Sequence, residues 1–386
     1  MTGRPLLDQA LTETITGRRA LLKGAGLAGA GLAGIAAGGL LLPGRARAAS
    51  TLTVGWVYVG PKNDFGFNQA HHEAVEALRS TPGLQVLEEE NVPETVAVEQ
   101  TMESMINFDG AQLLFLDSFG YFDHMIKVAP KYPHVQFRHQ GLLWTPSDPP
   151  NTGSYFGYIS EALYGCGVAS AMASKTGKLG FIAAKPIPAV LRSINSFTLG
   201  ARSVNPNITV QLIFTGGWSV PVKEAEATNS LADNGVDGVA CHIDNLKVVL
   251  QTADQRGIHS CGLNVDQRAL APKGYLTGAL YNWKVPYGEM IMDAMGGKPI
   301  PHVLKGGFAE NFVRMGPFGT AASPAVRSAV TTAAAELASG KRFVFSGPLK
   351  DNRGNVILAS GQHFEVDDES LSSMNYLVEG VNGSIS

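Results

Sequence analysis

Aromatic rings set beside amides, hydroxyls and carboxylates recur along this chain. The segment from Gly60 to Gln69 carries Asp64, Phe65, Phe67 and Asn68, and Asp117 to Tyr121 carries Ser118 and Phe119. Further on come Asn195 with Phe197, Trp218 with Ser219, His242 with Asp244 and Asn245, Asn264 with Asp266 and Gln267, and Tyr281 with Asn282 and Trp283. A flat heterocycle needs such surroundings, because it is held by ring faces it can stack on and by polar groups that read its edge. Any one of these residues has an ordinary explanation as a helix cap or a core ring. Phe197, which falls within a predicted helix, is the most core-like of them. The repetition of the same residue kinds is what points to binding.

Covalent chemistry is poorly provided for. There is no GxSxG elbow, no GxxxxGK(S/T) phosphate loop and no GxGxxG after the first strand. An enzyme acting on such a heterocycle would have to use Asp64, Asp244 or Asp266 as a base, with His242 beside it. His71 and His72 are adjacent, and His242 and His259 stand apart without a CxxC or HExxH. No metal, no cofactor and no catalytic residue is therefore expected.

The elements that position these groups alternate. An apolar run from Thr51 to Val59, stopped by Gly60-Pro61, reads as a strand, and Asn68 to Ser80 as a helix. The unit recurs with a strand at Leu84–Glu90, a helix at Thr95–Asn107, a strand at Ala111–Leu116, a helix at Tyr121–Lys131 and a strand from Val135. A Pro/Gly/Ser-rich stretch, Thr145 to Gly153, breaks the rhythm. It restarts with helix Glu161–Ser174, strand Lys178–Ala183 and helix Ala189–Asn205, and continues through strands at Thr209–Phe214, Gly238–Cys241, His259–Leu263 and Gly274–Leu280. Helices at Val222–Asn234 and Leu246–Arg256 separate the first three of these. Short apolar strands joined by helices predict an α/β protein with two doubly wound parallel sheets. The ring-bearing segments fall in the loops after the strands, where such sheets collect ligands. The expected division is residues 50–157 plus about 282–320 in one lobe, and 158–281 plus about 321–386 in the other. The order of the tail from Asp367 to Ser386 is left open.

The first 49 residues read differently. Arg18 and Arg19 precede an apolar stretch from Ala20 to Pro43, and Ala46-Arg47-Ala48 offers small residues for cleavage. That pattern predicts an export signal of the twin-arginine type and a periplasmic or otherwise extracytoplasmic mature chain. A net charge of −3, without a basic run in the mature part, argues against nucleic acid or an anionic membrane surface as partner. Cys166, Cys241 and Cys261 are expected as buried thiols, since an odd number cannot all pair within one chain.

The residues Val57-Tyr-Val-Gly-Pro61 with Asp64 and Gly66, Ser118-Phe-Gly120, Lys127 to Pro133, Pro186-Ile-Pro188, Ile194-Asn195, Phe197 to Pro206, Asp266-Gln267, and Ser346-Gly-Pro348 with Asp351 and Gly354 carry a resemblance. From Leu52 to the C-terminus the chain resembles the basic membrane protein family of ABC-transporter solute-binding proteins, which includes nucleoside receptors. The resemblance implies a type I periplasmic-binding fold whose lobes, joined by three crossovers, close on a ligand and present it to an ABC permease. In nucleoside-binding relatives an Asp and a Lys hold the ribose; here those positions are Asn264 and Tyr281. The Ile-Asn-x-Phe-Thr-Leu-Gly-Ala-Arg and Asn-Trp features are closer to a branch for free purine bases. That branch has Gly-Asp-His-Gly-Trp where this chain has Asn63 to Phe67, and Trp-Tyr-Asp-Pro where it has Trp218 to Pro221. The expectation is a monomer that stacks a purine-like ring between Phe67 or Phe119 and Trp218 or Trp283. Asp64, Asn68, Ser118, Asn195, Asp244, Asn264, Asp266 and Tyr281 are candidates for the remaining contacts. An exported purine-processing enzyme and a sensory receptor on the same fold are the alternatives.

Overall fold

The computed structural model describes residues 51–385, so the expected export signal lies outside the described residues. Strands β1 (Leu52–Val57), β2 (Leu84–Glu89), β3 (Leu113–Leu116), β4 (Gln136–Gln140) and β5 (Thr152–Gly157) alternate with helices α1 (Phe67–Leu78), α2 (Val96–Asn107) and α3 (Phe122–Val128). Leu113-Leu-Phe-Leu116 is buried at every position, as a strand covered on both faces must be. With β11 (Val303–Gly306) these strands form one parallel sheet in the order β11-β5-β4-β3-β1-β2.

The second sheet repeats the pattern. Strands β6 (Lys178–Ala183), β7 (Thr209–Phe214), β8 (Gly238–His242), β9 (His259–Asn264) and β10 (Tyr275–Tyr281) run with helices α4 (Ile159–Ala173), α5 (Pro188–Val204), α6 (Pro221–Asp233) and α7 (Lys247–Arg256). Its order is β12-β10-β9-β8-β6-β7, with β12 (Val313–Met315) antiparallel to β10 and a short strand Val381–Asn382 beside β7. In both sheets the first strand lies between the second and the third, so each has a switch point, at β1/β3 and at β6/β8, where neighbouring loops diverge and leave a crevice. Helix α8 (Lys284–Met295) packs against α1, and α9 (Pro324–Ala338) against α4.

The chain passes between the sheets at Tyr158, at Asn282–Trp283 and within 307–312. The last passage precedes the boundary expected near residue 320, because Val313–Met315 already pairs with the free edge of β10 and satisfies backbone groups that an open edge leaves unpaired. The first two residues of β5 fall in the stretch read as a break, where Pro149-Pro150-Asn151 masks the strand that follows. Helix α4 is buried over almost its whole length and meets α5 closely. A Cβ on Gly167 would lie 2.0 Å from the Phe197 carbonyl oxygen, and one on Gly200 2.0 Å from that of Tyr164. The three cysteines are buried and unpaired.

Two polar contacts fix the arrangement. Asn195, expected at the ligand, is fully buried in α5 and clamps the C-terminal segment: its Nδ2 donates to the Tyr376 carbonyl (2.9 Å) and its Oδ1 accepts from Val378 N–H (2.9 Å). The tail is thereby ordered, with a helical turn at Glu369–Ser372 and the strand at Val381–Asn382. Between the two sheets, Phe67 N–H donates to the Asp244 carbonyl at 3.1 Å, and Gln267 Nε2 donates to the Phe65 carbonyl. A Cβ on Gly66 would fall 1.6 Å from the Asp244 oxygen, so only glycine permits the approach.

Replacing Asn195 by Ala strands a buried carbonyl and a buried N–H, and should lower stability by about 2–3 kcal/mol, read from a denaturant melt. Gly66→Ala should hold the two sheets apart, because its Cβ would meet the Asp244 carbonyl, visible as a larger radius of gyration in X-ray scattering and as weakened ligand binding.

Candidate ligand-binding site

A cavity of about 160 Å³ lies between the carboxyl ends of the two sheets. Its wall is built from the loops that follow the strands, as the two switch points require. The first lobe supplies Val59 and Phe67 after β1, Ser118 and Phe119 after β3, Gln140 to Leu143 at the end of β4, and Phe156 from β5. The second supplies Ile187 to Ala189 after β6, Trp218 after β7, His242 to Asp244 at the end of β8, Asn264 from β9 and Tyr281 from β10. Five rings, those of Phe67, Phe119, Phe156, Trp218 and Tyr281, thus border one space.

The rings are held by a buried aromatic column. Tyr281 stacks on Trp283 with centroids 4.3 Å apart, Trp283 on His71 at 4.8 Å, and His71 meets Phe67 edge to face at 4.7 Å. His71 Nδ1 lies 2.6 Å from the Tyr287 hydroxyl, which in turn contacts Tyr155 at 3.0 Å. Trp283 therefore stands behind Tyr281 and does not reach the cavity; its place in the chain, at a passage between lobes, puts it in the core.

Of the residues singled out from the sequence, Phe67, Ser118, Phe119, Trp218, Asp244, Asn264 and Tyr281 line the cavity. Asp64 and Asn68 instead shape the loop that carries Phe67. The Asp64 carboxylate accepts from the N–H groups of Gly66 (2.8 Å), Asn68 (3.0 Å) and Gln69 (3.0 Å) and from Asn68 Nδ2 (2.7 Å), while Asn68 Oδ1 accepts from Gly60 N–H (3.0 Å). Asp266 lies outside, ion-paired with Arg268 at 2.7 Å. Asn195 faces the C-terminal segment, as described above.

Ser118 Oγ donates to Glu94, but other polar groups that face the cavity are short of partners. The Asp244 carboxylate has no hydrogen bond among the described residues, and its backbone N–H is used by the Trp218 carbonyl at 2.8 Å. Burial, then the carboxylates of Asp64, Glu94 and Glu224 against the opposing pull of Lys185, raise its pKa well above the ordinary carboxylate range. His242 Nδ1 lies 2.8 Å from Ser193 Oγ, whose single hydrogen is donated to the Ala189 carbonyl at 3.0 Å. With the Ser193 hydrogen given to the Ala189 carbonyl, Nδ1 carries the imidazole hydrogen and Nε2, without a partner among the described residues, is the acceptor. Burial lowers this imidazole to about 4, so it is neutral at ordinary pH. Asn264 sits at φ 74°, a conformation asparagine tolerates, and its side-chain amide has no partner among the described residues.

Arg192, Ser193, Ser160, Phe156, Leu371 and Ser372 border the cavity without having stood out in the sequence. Arg192 and Ser193 lie one turn into α5, where the sequence singles out Asn195 alone as a ligand contact, although the Pro186-Ile-Pro188 signal just before it marks a helix start at a strand end. Phe156 belongs to the masked strand. Leu371 and Ser372 arrive from the far C-terminus, where no periodicity in the chain could have placed them.

Away from the cavity, His72, Glu76 and Glu88 bring ligand atoms close enough to consider a cation. Protein cations already occupy them: Arg79 binds Glu76 at 2.6 Å and also binds Glu88, and Lys62 lies 3.9 Å from Glu88.

Residues 51–339 match the Bmp family model, described as ABC transporter substrate-binding protein PnrA-like. The chain is 36% identical over 349 residues to a purine-binding protein of Brucella abortus, covering 89% of this chain and 97% of that one. It is 28% identical to a putative ABC transporter glucose-binding protein of Haloferax volcanii, covering 87% and 81%. Among solved structures, a solute-binding protein of an ABC transporter system from Aeropyrum pernix superposes with a TM-score of 0.64 at 18% identity, over 83% of this chain and 97% of that chain. The two sheets with their interleaved helices are thus the α/β fold of periplasmic binding proteins, and the family binds solutes rather than transforming them. The chain belongs to the Bmp family of PnrA-like ABC transporter substrate-binding proteins.

Proposed function

We propose that this protein captures a free purine base and hands it to the membrane permease of an ABC importer. The observation that carries the reading is the cavity itself, where five aromatic rings surround the unpartnered acceptors of Asp244 and His242. Rings supply the faces for a planar heterocycle, and the half-buried acceptors, shut off from water once a ligand fills the cavity, demand its N–H groups, because an unmet buried acceptor costs about 1–3 kcal/mol. The size argues for a base over a nucleoside. At about 160 Å³ the cavity is close to the ~150 Å³ space that holds a benzene ring, and it has little room for a sugar. Asn264 and Tyr281, where nucleoside-binding relatives carry charged groups for ribose, agree. The purine-binding relative at 36% identity supports the same ligand class.

In this reading the 1–49 segment exports the chain by the twin-arginine route, and the folded monomer works outside the cytoplasm. Among the described residues no helix is long and apolar enough to cross a membrane. The contact between Phe67 and Asp244 closes the lobes around the bound base, and the permease meets the closed form.

Isothermal titration of the mature chain with purine bases, nucleosides, glucose and amino acids tests this directly. Free bases should bind, with nucleosides at least roughly tenfold weaker, a difference of about 1.4 kcal/mol. Tight binding of glucose or amino acids without bases would overturn it. Trp218→Ala should weaken base binding by roughly ten- to a hundredfold through lost stacking, with little change in the unliganded melting temperature.

The Asp244 carboxyl is a pure, charge-strengthened acceptor for the ligand only when ionised. Because its pKa in the empty site is raised, affinity should be full above that pKa and fall as the pH drops through it, beginning above the ordinary carboxylate value of about 3.9. Asp244→Asn should bind more weakly at neutral pH and lose this acid limb, which titrations across pH will show.

A further inference from the structure

The polar groups of the cavity are sorted by type. On the β8 side, Asp244 offers a carboxylate and His242 a bare Nε2, both acceptors when the carboxyl is ionised. On the α5 side stands Arg192, a pure donor, only 4% exposed. Its Nε donates to Ser160 Oγ at 2.9 Å, one NH2 hydrogen to the Val366 carbonyl at 2.6 Å, and its plane lies 4.7 Å from the Tyr158 ring centre. The NH1 group has no partner, and no carboxylate forms an ion pair with Arg192 among the described residues; Glu161, Asp367 and Asp368 act on it only at a distance. Ser160 accepts from Arg192, so its own hydroxyl hydrogen is also free to donate. A buried guanidinium in this condition is costly unless an oxygen acceptor arrives.

Purine bases differ in what they bring. An oxopurine carries a carbonyl oxygen on its six-membered ring and an imidazole N–H on the other ring, so it offers an acceptor to the arginine on one side and a donor to the carboxylate on the other. Adenine has an amino group in place of that carbonyl, and its two hydrogens would face the guanidinium. The same chemistry governs base recognition elsewhere, where arginine reads the oxygen and N7 of guanine and the amides of Asn and Gln read adenine.

We infer that Arg192 and Asp244 make this pocket selective for oxopurines, such as hypoxanthine, xanthine and guanine, over adenine. The inference rests on the purine-base reading and adds the class of base. Arg192 supplies N–H donors to the ring carbonyl, with Ser160 holding the guanidinium in place, and Asp244, on the β8 side, accepts from a ring N–H at the far edge of the base. Arg192 is thus tied both to the C-terminal segment, through Val366, and to the ligand, so the same side chain that anchors the tail reads the base.

Calorimetric titration of the mature wild-type chain with hypoxanthine, xanthine, guanine, adenine and 6-methoxypurine is the test. The oxopurines should bind at least roughly tenfold tighter than adenine and 6-methoxypurine, as expected for a hydrogen bond to a charged group. Adenine binding as tightly or more tightly overturns the selectivity while leaving the purine-base reading in place; no binding by any purine overturns both. In Arg192→Met, oxopurine affinity should fall at least roughly tenfold and adenine affinity less than about threefold, with Arg192→Lys retaining part of the preference. Equal losses for all bases in Arg192→Met, in a protein with a cooperative melt, would make Arg192 a purely structural anchor and sink the proposal. Should that variant fail to fold, the wild-type panel still decides.

Discussion

The 3.1 Å hydrogen bond from Phe67 N–H to the Asp244 carbonyl joins the start of α1 in one lobe to the end of β8 in the other, and the binding site depends on it. It sets a ring from one lobe opposite a carboxylate from the other across a single cavity. The approach is possible because Gly66 has no side chain, and it is aimed because Asp64 accepts the N–H groups of Gly66, Asn68 and Gln69 and so fixes the loop that leads into α1. Asp64 does its work one layer away from the ligand space. A carboxylate that looks like a ligand contact in the sequence is the device that positions the ring three residues later.

The second constraint is the way polar groups are distributed in a largely apolar space. Most buried polar atoms in a folded protein are matched by protein partners. Here Asp64 and Asn195 are matched by backbone groups, whereas the side chains of Asp244 and Asn264 are not, and His242 keeps one nitrogen free. The difference separates scaffold from site. It explains why residues of identical type, Asn195 and Asn264, serve different ends: the first sits mid-helix beneath the C-terminal segment, the second at the end of a strand in a left-handed conformation that turns its amide toward the cavity.

The aromatic column running from Tyr281 through Trp283 and His71 to Phe67 makes the cavity wall stiff. Each ring is backed by another, and burial lowers His71 to about 3, so the stack carries no charge. A preformed wall spares the ligand the cost of ordering it. The C-terminal segment adds a further wall through Leu371 and Ser372, and it is held by Asn195 and by Arg192, which also borders the cavity.

The sequence by itself determined the class of fold, because strand and helix periodicities are local and the alternation of apolar runs with amphipathic stretches survives without any long-range contact. It also marked the loops after the strands as the place for a ligand, and Phe67, Ser118, Phe119, Trp218, Asp244, Asn264 and Tyr281 all border the cavity there. The tertiary structure alone decided which neighbours in those loops point inward. Strand β9 ends at Asn264, whose left-handed φ of 74° turns the chain, so Asp266 leaves for solvent and an ion pair with Arg268 while Asn264 stays inside. It alone placed Trp283 behind Tyr281, brought Arg192 from a helix and Leu371 from the far end of the chain into the same wall, and gave Asn195 a backbone to hold. Those outcomes depend on contacts between residues far apart in the chain, for which local spacing carries no signal.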